Sequence, residues 1–221
     1  MLPLNLPAGK KLQILCLGAH SDDIEIGCGG TLMALMAAYP DARLTWVVLT
    51  ARGERAEEAR SSMALFADPA RVDIVLADFR DGYLPHEGAA VKDFVESLKA
   101  KPYPDLILTH WRKDAHQDHR FLAELAWNTW RNALIWEFEI PKYDGDLETP
   151  NLYVPLTKAQ AQAKTDALMK AFPSQAANGQ SGKGWFTPET FMGLMRIRGI
   201  ECNAPEGYAE GFHAKKIVVG L

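Results

Sequence analysis

Alternation of β-prone apolar runs with amphipathic, helix-forming stretches predicts an α/β fold with a mostly parallel sheet, since parallel neighbours need a crossover segment between them. Two further observations point the same way. Glycine-rich sequence follows the first apolar run and opens a helical pattern, and clusters of acid and histidine follow two of the runs, where open α/β sheets keep their chemistry. The expected arrangement is Rossmann-like, with three α/β/α layers in a single domain covering residues 1–221.

Leu12 to Ala19 reads as a buried strand, and Ile24 to Tyr39 as a helix with Leu32, Leu35 and Met36 on one apolar face. Arg43 to Thr50 (RLTWVVLT) is a second strand, Glu54 to Phe66 a charged amphipathic helix, Val72 to Leu76 a short third strand and Val91 to Ala100 another helix. Pro102 and Pro104 stop that helix, Asp105 to His110 forms a fourth strand, and the second acid and histidine cluster opens a helix running to about Asn132. Leu134 to Ile140 is a fifth strand, and Pro141 to Pro150 a polar loop placed to border the site. Thr157 is a good N-cap for a helix reaching Phe172, and Ser174 to Gly184 reads as a flexible loop. Thr187 and Pro188 start a last helix, and Lys216 to Val219 is expected to return to the sheet as a strand.

A chain of 221 residues with 48% hydrophobic content can bury a core without disulfides or structural metals, which leaves any metal free for catalysis. The formal charge of −4, with scattered Lys and Arg, argues against a nucleic-acid surface and for a small-molecule substrate. Cys16, Cys28 and Cys202 are odd in number and lack CxxC spacing, so neither a zinc knuckle nor a disulfide framework is expected. A reducing cytoplasm suits them. Met1 to Lys11 carries its charges after its short apolar stretch, unlike a secretory signal, and no apolar run is long enough to span a bilayer.

The chemistry lies in His20-Ser21-Asp22-Asp23 and His116-Gln117-Asp118-His119. His20 and Asp23 are three residues apart, as are His116 and His119, so one backbone turn can present both members of each pair. A catalytic zinc needs three His or carboxylate ligands and one open position, and these clusters supply more than enough. Of the two adjacent aspartates, one can bind metal while the other takes a proton from water as general base. The spacing leaves open which does which.

AHSDDIE and HQDH resemble the AHPDDxE and HPDH motifs of the PIG-L/LmbE-like family of zinc-dependent N-deacetylases. The chain departs from the motifs at Ser21 and Gln117. Neither position is a ligand in the family, where the prolines act on loop conformation. The resemblance extends to Thr50 to Glu54 with Arg60, the Asp81-Gly82 pair, Thr109-His110 and Tyr208 to Phe212 (YAEGF), and so covers most of the chain. It implies that His20, Asp23 and His119 ligate zinc and that Asp22 is the general base. His116 would stabilise the oxyanion or protonate the leaving amine, Asp118 would orient His116, and Arg60 and Asp81 would contact the sugar. The implied reaction removes the N-acetyl group from a GlcNAc-like or related amino-sugar compound. Zn2+ is the default ion, with other divalent transition metals able to use the same ligands, and a homo-oligomer is an expectation of the same resemblance.

Several residues carry competing readings. Arg52 and Arg55 compete with Arg60 for substrate, and Glu25 is a candidate brace for the first loop. Gly27, Gly29 and Gly30 suggest a dinucleotide loop, but their spacing is not GxGxxG and Asp22, Asp23 and Glu25 would crowd a pyrophosphate. Close packing of helix on sheet explains them better. His110 is expected to support the second cluster by hydrogen bonding, Asp114 to shape its loop, His213 either to line the pocket or to serve structure, and Trp111 and Trp185 to be the best stacking candidates. The alternative functions are hydrolysis of another amide or ester at the same metal, and a non-catalytic metal- or nucleotide-binding protein.

Overall fold

The computed structural model describes residues 3–176 and 183–219. Its strands are β1 (Gln13–Gly18), β2 (Arg43–Val48), β3 (Val72–Leu76), β4 (Leu106–His110), β5 (Leu134–Phe138), β6 (Leu152–Leu156) and β7 (Tyr208–His213). They form one sheet in the order β3-β2-β1-β4-β5-β7-β6. β1 to β5 are parallel, while β7 runs antiparallel to both β5 and β6. From β1 the chain moves outward through β2 to β3, then crosses back to lay down β4 and β5 on the other side. The strand order reverses between β1 and β4, the switch point at whose carboxyl ends open α/β sheets form their ligand crevice.

The helices are α1 (Asp23–Ala38), α2 (Glu54–Phe66), α3 (Gly88–Ser97), α4 (Gln117–Thr129), α5 (Lys158–Ala171), the short α6 (Pro173–Ala176) and α7 (Pro188–Glu201). The parallel strands are apolar on both faces, as burial between two helical layers demands. Ile14 and Cys16 of β1 join one core with residues of α1, α2 and α5, whereas Leu15 and Leu17 join a second core with residues of α3 and α4. Thr157 and Gln160 close a reciprocal capping box at the start of α5, and Thr187 caps α7 with Pro188 in its first turn.

α1 is broken at Cys28, whose φ of −146° is not helical. Its glycines permit close contact with the sheet: a Cβ on Gly27 would sit 2.2 Å from the Phe138 ring, and one on Gly30 would sit 2.5 Å from Leu156. The break frees backbone amides partway along the helix. Gly30 and Thr31 donate theirs to the Glu210 carboxylate of β7 at 2.9 and 2.6 Å. Lys164 Nζ balances that buried charge at 2.6 Å. Glu210 is therefore a helix cap within the YAEGF stretch and faces away from the crevice chemistry.

The fold differs from the sequence expectation at its C-terminal edge. Lys216 to Val219 is not a strand; Val218 is 96% exposed. Tyr208–His213 fills the place beside β5 instead, and Leu152–Leu156 pairs with its other side. β6 itself was not anticipated, because Pro155 interrupts its pattern; as an edge strand it tolerates the missing donor. Of the loop expected from Ser174 to Gly184, residues 177–182 lie outside the described residues, and 173–176 form α6. Among the described residues no helix is long and apolar enough to cross a membrane.

Candidate active site

Both motif clusters emerge at the switch point. His20 to Asp23 leave β1 and enter α1, and His116 to His119 follow β4 and open α4. His20 Nδ1 lies 3.1 Å from His119 Nε2 and 3.2 Å from Asp23 Oδ2, and His119 Nε2 lies 3.5 Å from Asp23 Oδ1. These separations match the edges of a tetrahedron of ligands around zinc, about 3.3 Å for nitrogen and oxygen donors.

Lone-pair accounting favours a cation at that point. The far nitrogen of His20 faces the carboxylates of Asp81 and Asp118 at 3.1 and 3.3 Å, and so is the place for its proton. The far nitrogen of His119 lies 3.0 Å from Asp114, close although out of line for a hydrogen bond. With protons on those outer nitrogens, the inner nitrogens and the Asp23 carboxylate all present lone pairs to one another. Burial opposes charge on both histidines, yet neighbouring Asp23 pushes both above the ordinary imidazole range, and burial likewise opposes while His119, His110 and His20 hold Asp23 well below the usual carboxylate range. A metal ion would take the place of those protons.

The other histidines have committed lone pairs. His110 Nε2 accepts the Ala19 amide at 3.0 Å while its ring stacks on His119 with centroids 3.9 Å apart. Burial and then the His119 charge lower its pKa to about 4. His110 therefore ties the end of β1 to the second cluster as a neutral ring. His116 Nδ1 accepts the Asp118 amide at 3.2 Å, capping α4. Its pKa is also lowered to about 4, by burial and then by His119 and His20, so near neutrality Nε2 is a neutral N–H donor.

The expected contact from Asp118 to His116 thus runs through the backbone amide. The Asp118 carboxylate instead accepts the amides of Gly82 and Leu84 at 2.7 and 3.1 Å and braces His20. Gly82 has φ of +80°, and its turn places Asp81 at the rim with its side chain 76% exposed. Gln117, in the position of the family proline, donates to the Gly82 carbonyl at 3.1 Å and so fastens this turn to α4. Ser21 is buried, and its hydroxyl has no partner among the described residues.

Asp22 is 2% exposed and directed away from the Asp23 group, toward Arg55 Nη2 at 3.1 Å. Arg55 also pairs with Glu58. Arg60 does not join this site; it lies on the exposed side of α2, five residues and about 140° of helical rotation from Arg55. Sequence reasoning underrated Arg55, whose signal was its place in the first turn of α2. Asp114 shapes its loop as expected: it stands two residues before His116, accepts the His116 amide at 2.7 Å and faces Lys142 Nζ at 3.0 Å. Lys142 and Asp146 belong to the polar loop after β5, and Asp146 accepts the Ala115 amide at 2.6 Å, so that loop does border the site. Glu25 is buried against Ser62 and bridges α1 to α2. His213 stacks on Trp111, with ring centroids 4.4 Å apart, and both serve packing at the end of β7.

A mostly parallel sheet with histidine and carboxylate donors converging at its switch point defines an α/β protein with a candidate metal site. The model of the PIG-L family, described as GlcNAc-PI de-N-acetylase, matches residues 15–130, and the chain belongs to that family. The uncharacterized deacetylase YaiS of Escherichia coli is 29% identical over 121 residues, which are 51% of this chain and 64% of YaiS. The chain thus spans less than two thirds of that relative. Among solved structures, N,N'-diacetylchitobiose deacetylase from Pyrococcus horikoshii superposes with a TM-score of 0.65 at 20% identity, covering 92% of this chain and 83% of its own. The 4-carboxy-2-hydroxymuconate hydratase GalB from Pseudomonas putida superposes with a TM-score of 0.72 at 17% identity, covering 95% and 99%. Both likenesses concern the fold, and since it carries a deacetylase and a hydratase, the reaction must be argued from the residues.

Proposed function

We propose that this protein is a zinc-dependent N-deacetylase that hydrolyses the N-acetyl group of a GlcNAc-like or related amino-sugar compound. The observation that carries the reading is the division of the crevice: His20, Asp23 and His119 converge within 3.5 Å of one another, while Asp22, next in sequence, faces elsewhere. The first three would hold a divalent ion. When bound, that ion supplies Lewis acidity for the acyl carbonyl and acidifies a water molecule.

Asp22 accepts the proton of the attacking water on its carboxylate. Its Oδ2 makes no aligned hydrogen bond among the described residues, and the Arg55 guanidinium stands 3.1 Å from it, placed to orient the buried carboxylate. His116, neutral with its proton on Nε2, donates a hydrogen bond to the oxyanion as charge develops. The proton held by Asp22 then passes to the leaving nitrogen, giving the free amine and acetic acid, whose own proton is released to solvent. Asp81, exposed at the rim, accepts from sugar hydroxyls, and Arg55 replaces Arg60 as the cationic substrate contact.

A nucleotide-binding reading is disfavoured by the same residues, because Asp22 and Asp23 occupy the start of α1 where a pyrophosphate would need positive potential. Acetate release from a panel of N-acetylated amino sugars by zinc-loaded protein tests the proposal. Turnover that needs the ion and disappears in Asp22→Asn is the expected result; stoichiometric zinc without acetate from any member would reject it.

A further inference from the structure

The Asp114 carboxylate stands behind both histidines of the second motif, and its two oxygens are divided between them. Oδ1 accepts the His116 amide at 2.7 Å and lies 3.0 Å from Lys142 Nζ, which leaves Oδ2 to face His119 Nδ1 at 3.0 Å. A carboxylate turned about its Cβ–Cγ bond would lose the His119 contact. Whatever fixes Oδ1 therefore also decides how the outer edge of the His119 ring is held.

Lys142 comes from the loop after β5, and its side chain is only 8% exposed. Its Nζ also meets Asp146 Oδ2 at 2.5 Å and the Ile140 carbonyl at 3.4 Å. The loop has fastenings that do not involve this ammonium: Asp146 accepts the Ala115 amide at 2.6 Å, and the Tyr143 hydroxyl accepts the Gly184 amide at 3.0 Å. Burying an ammonium costs free energy that neutral fastening avoids, unless placed anions match the charge. Here two carboxylates match it, and one of them is the carboxylate beside His119.

We propose that Lys142 is a positioning residue for the metal centre: by locking Asp114 Oδ1 it holds Oδ2 against the outer nitrogen of His119, so that His119 Nε2 is aimed at the ion. The inference rests on the reading that His20, Asp23 and His119 hold that ion. Lys142 touches neither the ion nor the substrate, and its effect passes through Asp114. Charge alone would act in the opposite direction. Removing a cation from the neighbourhood of a metal site strengthens metal binding by Coulomb's law, whereas loss of the lock weakens it.

Zn2+ alone is the probe, its affinity measured by competition with a chromophoric chelator. Lys142→Met, close in volume and uncharged, should weaken zinc binding by about tenfold or more, as should Asp114→Asn. The double variant should bind little worse than the weaker of the two single variants, because both changes break one relay. In cobalt-loaded protein the visible absorption bands, which report ligand geometry, should shift alike in Lys142→Met and Asp114→Asn. Unchanged or tighter zinc binding in Lys142→Met, or losses that add in the double variant, overturns the role. Should Lys142→Met fail to fold, Lys142→Gln, which removes the charge but keeps an N–H donor, is read in the same way. Wild-type protein that takes up no stoichiometric zinc, or zinc that is indifferent to Asp23→Asn, would instead defeat the reading of the metal site, so the two failures are distinct.

Discussion

Arg55 Nη2 lies 3.1 Å from Asp22 Oδ2, joining the first turn of α2 to the loop between β1 and α1. Arg55→Gln removes the cation beside a buried carboxylate and should lower kcat/KM on an N-acetylated amino sugar by about tenfold or more, a loss of about 1.4 kcal/mol. Arg55→Lys should restore part of that loss, and Arg60→Ala should have less than about a twofold effect. Equal losses in Arg55→Gln and Arg60→Ala would show that Arg55 has no special role.

Asp22 and Asp23 should separate cleanly by metal analysis. Asp22→Asn is expected to retain zinc through dialysis while kcat falls by about 10²- to 10⁴-fold. Asp23→Ala and His119→Ala should emerge without stoichiometric zinc. Metal loss in Asp22→Asn together with full occupancy in Asp23→Ala would reverse the assignment.

Zinc uptake should weaken as pH falls. The neighbouring Asp23 raises His20 and His119 above the ordinary imidazole range despite burial, so protons compete for the nitrogens that the ion needs. Calorimetry in buffers of different ionisation enthalpy should register proton release on binding. Binding without proton release and independent of pH would contradict the ligand set.

Burial raises the Glu25 carboxyl from 4.5 to about 8, with Ser62 as its side-chain partner. The folded state therefore holds a proton that the unfolded state gives up. The associated stability is full below pH 4.5 and is lost as pH rises to about 8, at up to about 1.4 kcal/mol per pH unit. In chelator-treated protein, Glu25→Gln should flatten that part of the stability profile from urea melts relative to wild type. Parallel profiles for the two proteins would remove Glu25 as the source.

A methyl group at position 27 would meet the Phe138 ring at 2.2 Å. Gly27→Ala should cost about 1–3 kcal/mol of stability in denaturant unfolding. An unchanged midpoint would mean that the ring and α1 move apart freely.

The parallel half of the sheet was legible because each of its strands is a short, predominantly apolar run between helical patterns, and the cluster residues follow strand ends that those runs delimit. The choice between Arg55 and Arg60 was not, because both lie on one charged helix and only its rotation against the β1 loop decides which one faces Asp22. The lowered pKa of His116 comes from burial and from the neighbouring His119 and His20 rings, none of which has a signature of its own in the sequence. At the C-terminal edge the β-prone stretch Lys216 to Val219 stays outside the sheet, while a stretch holding a glutamate, whose burial depends on amides far away in sequence, becomes β7.

Glu210, in the YAEGF stretch, reaches back 180 residues to receive the Gly30 amide, from outside residues 15–130 that the family model matches. The recognisable portion is consequently not a transplantable module. Cutting the chain after β5, or exchanging its final third for another sequence, would strand two helix amides of α1 in an apolar interior only a few residues from Asp22 and Asp23. Whatever replaces that final third must return one carboxylate to the same place, so shortening or recombining this protein is constrained at a point outside the two acid and histidine clusters.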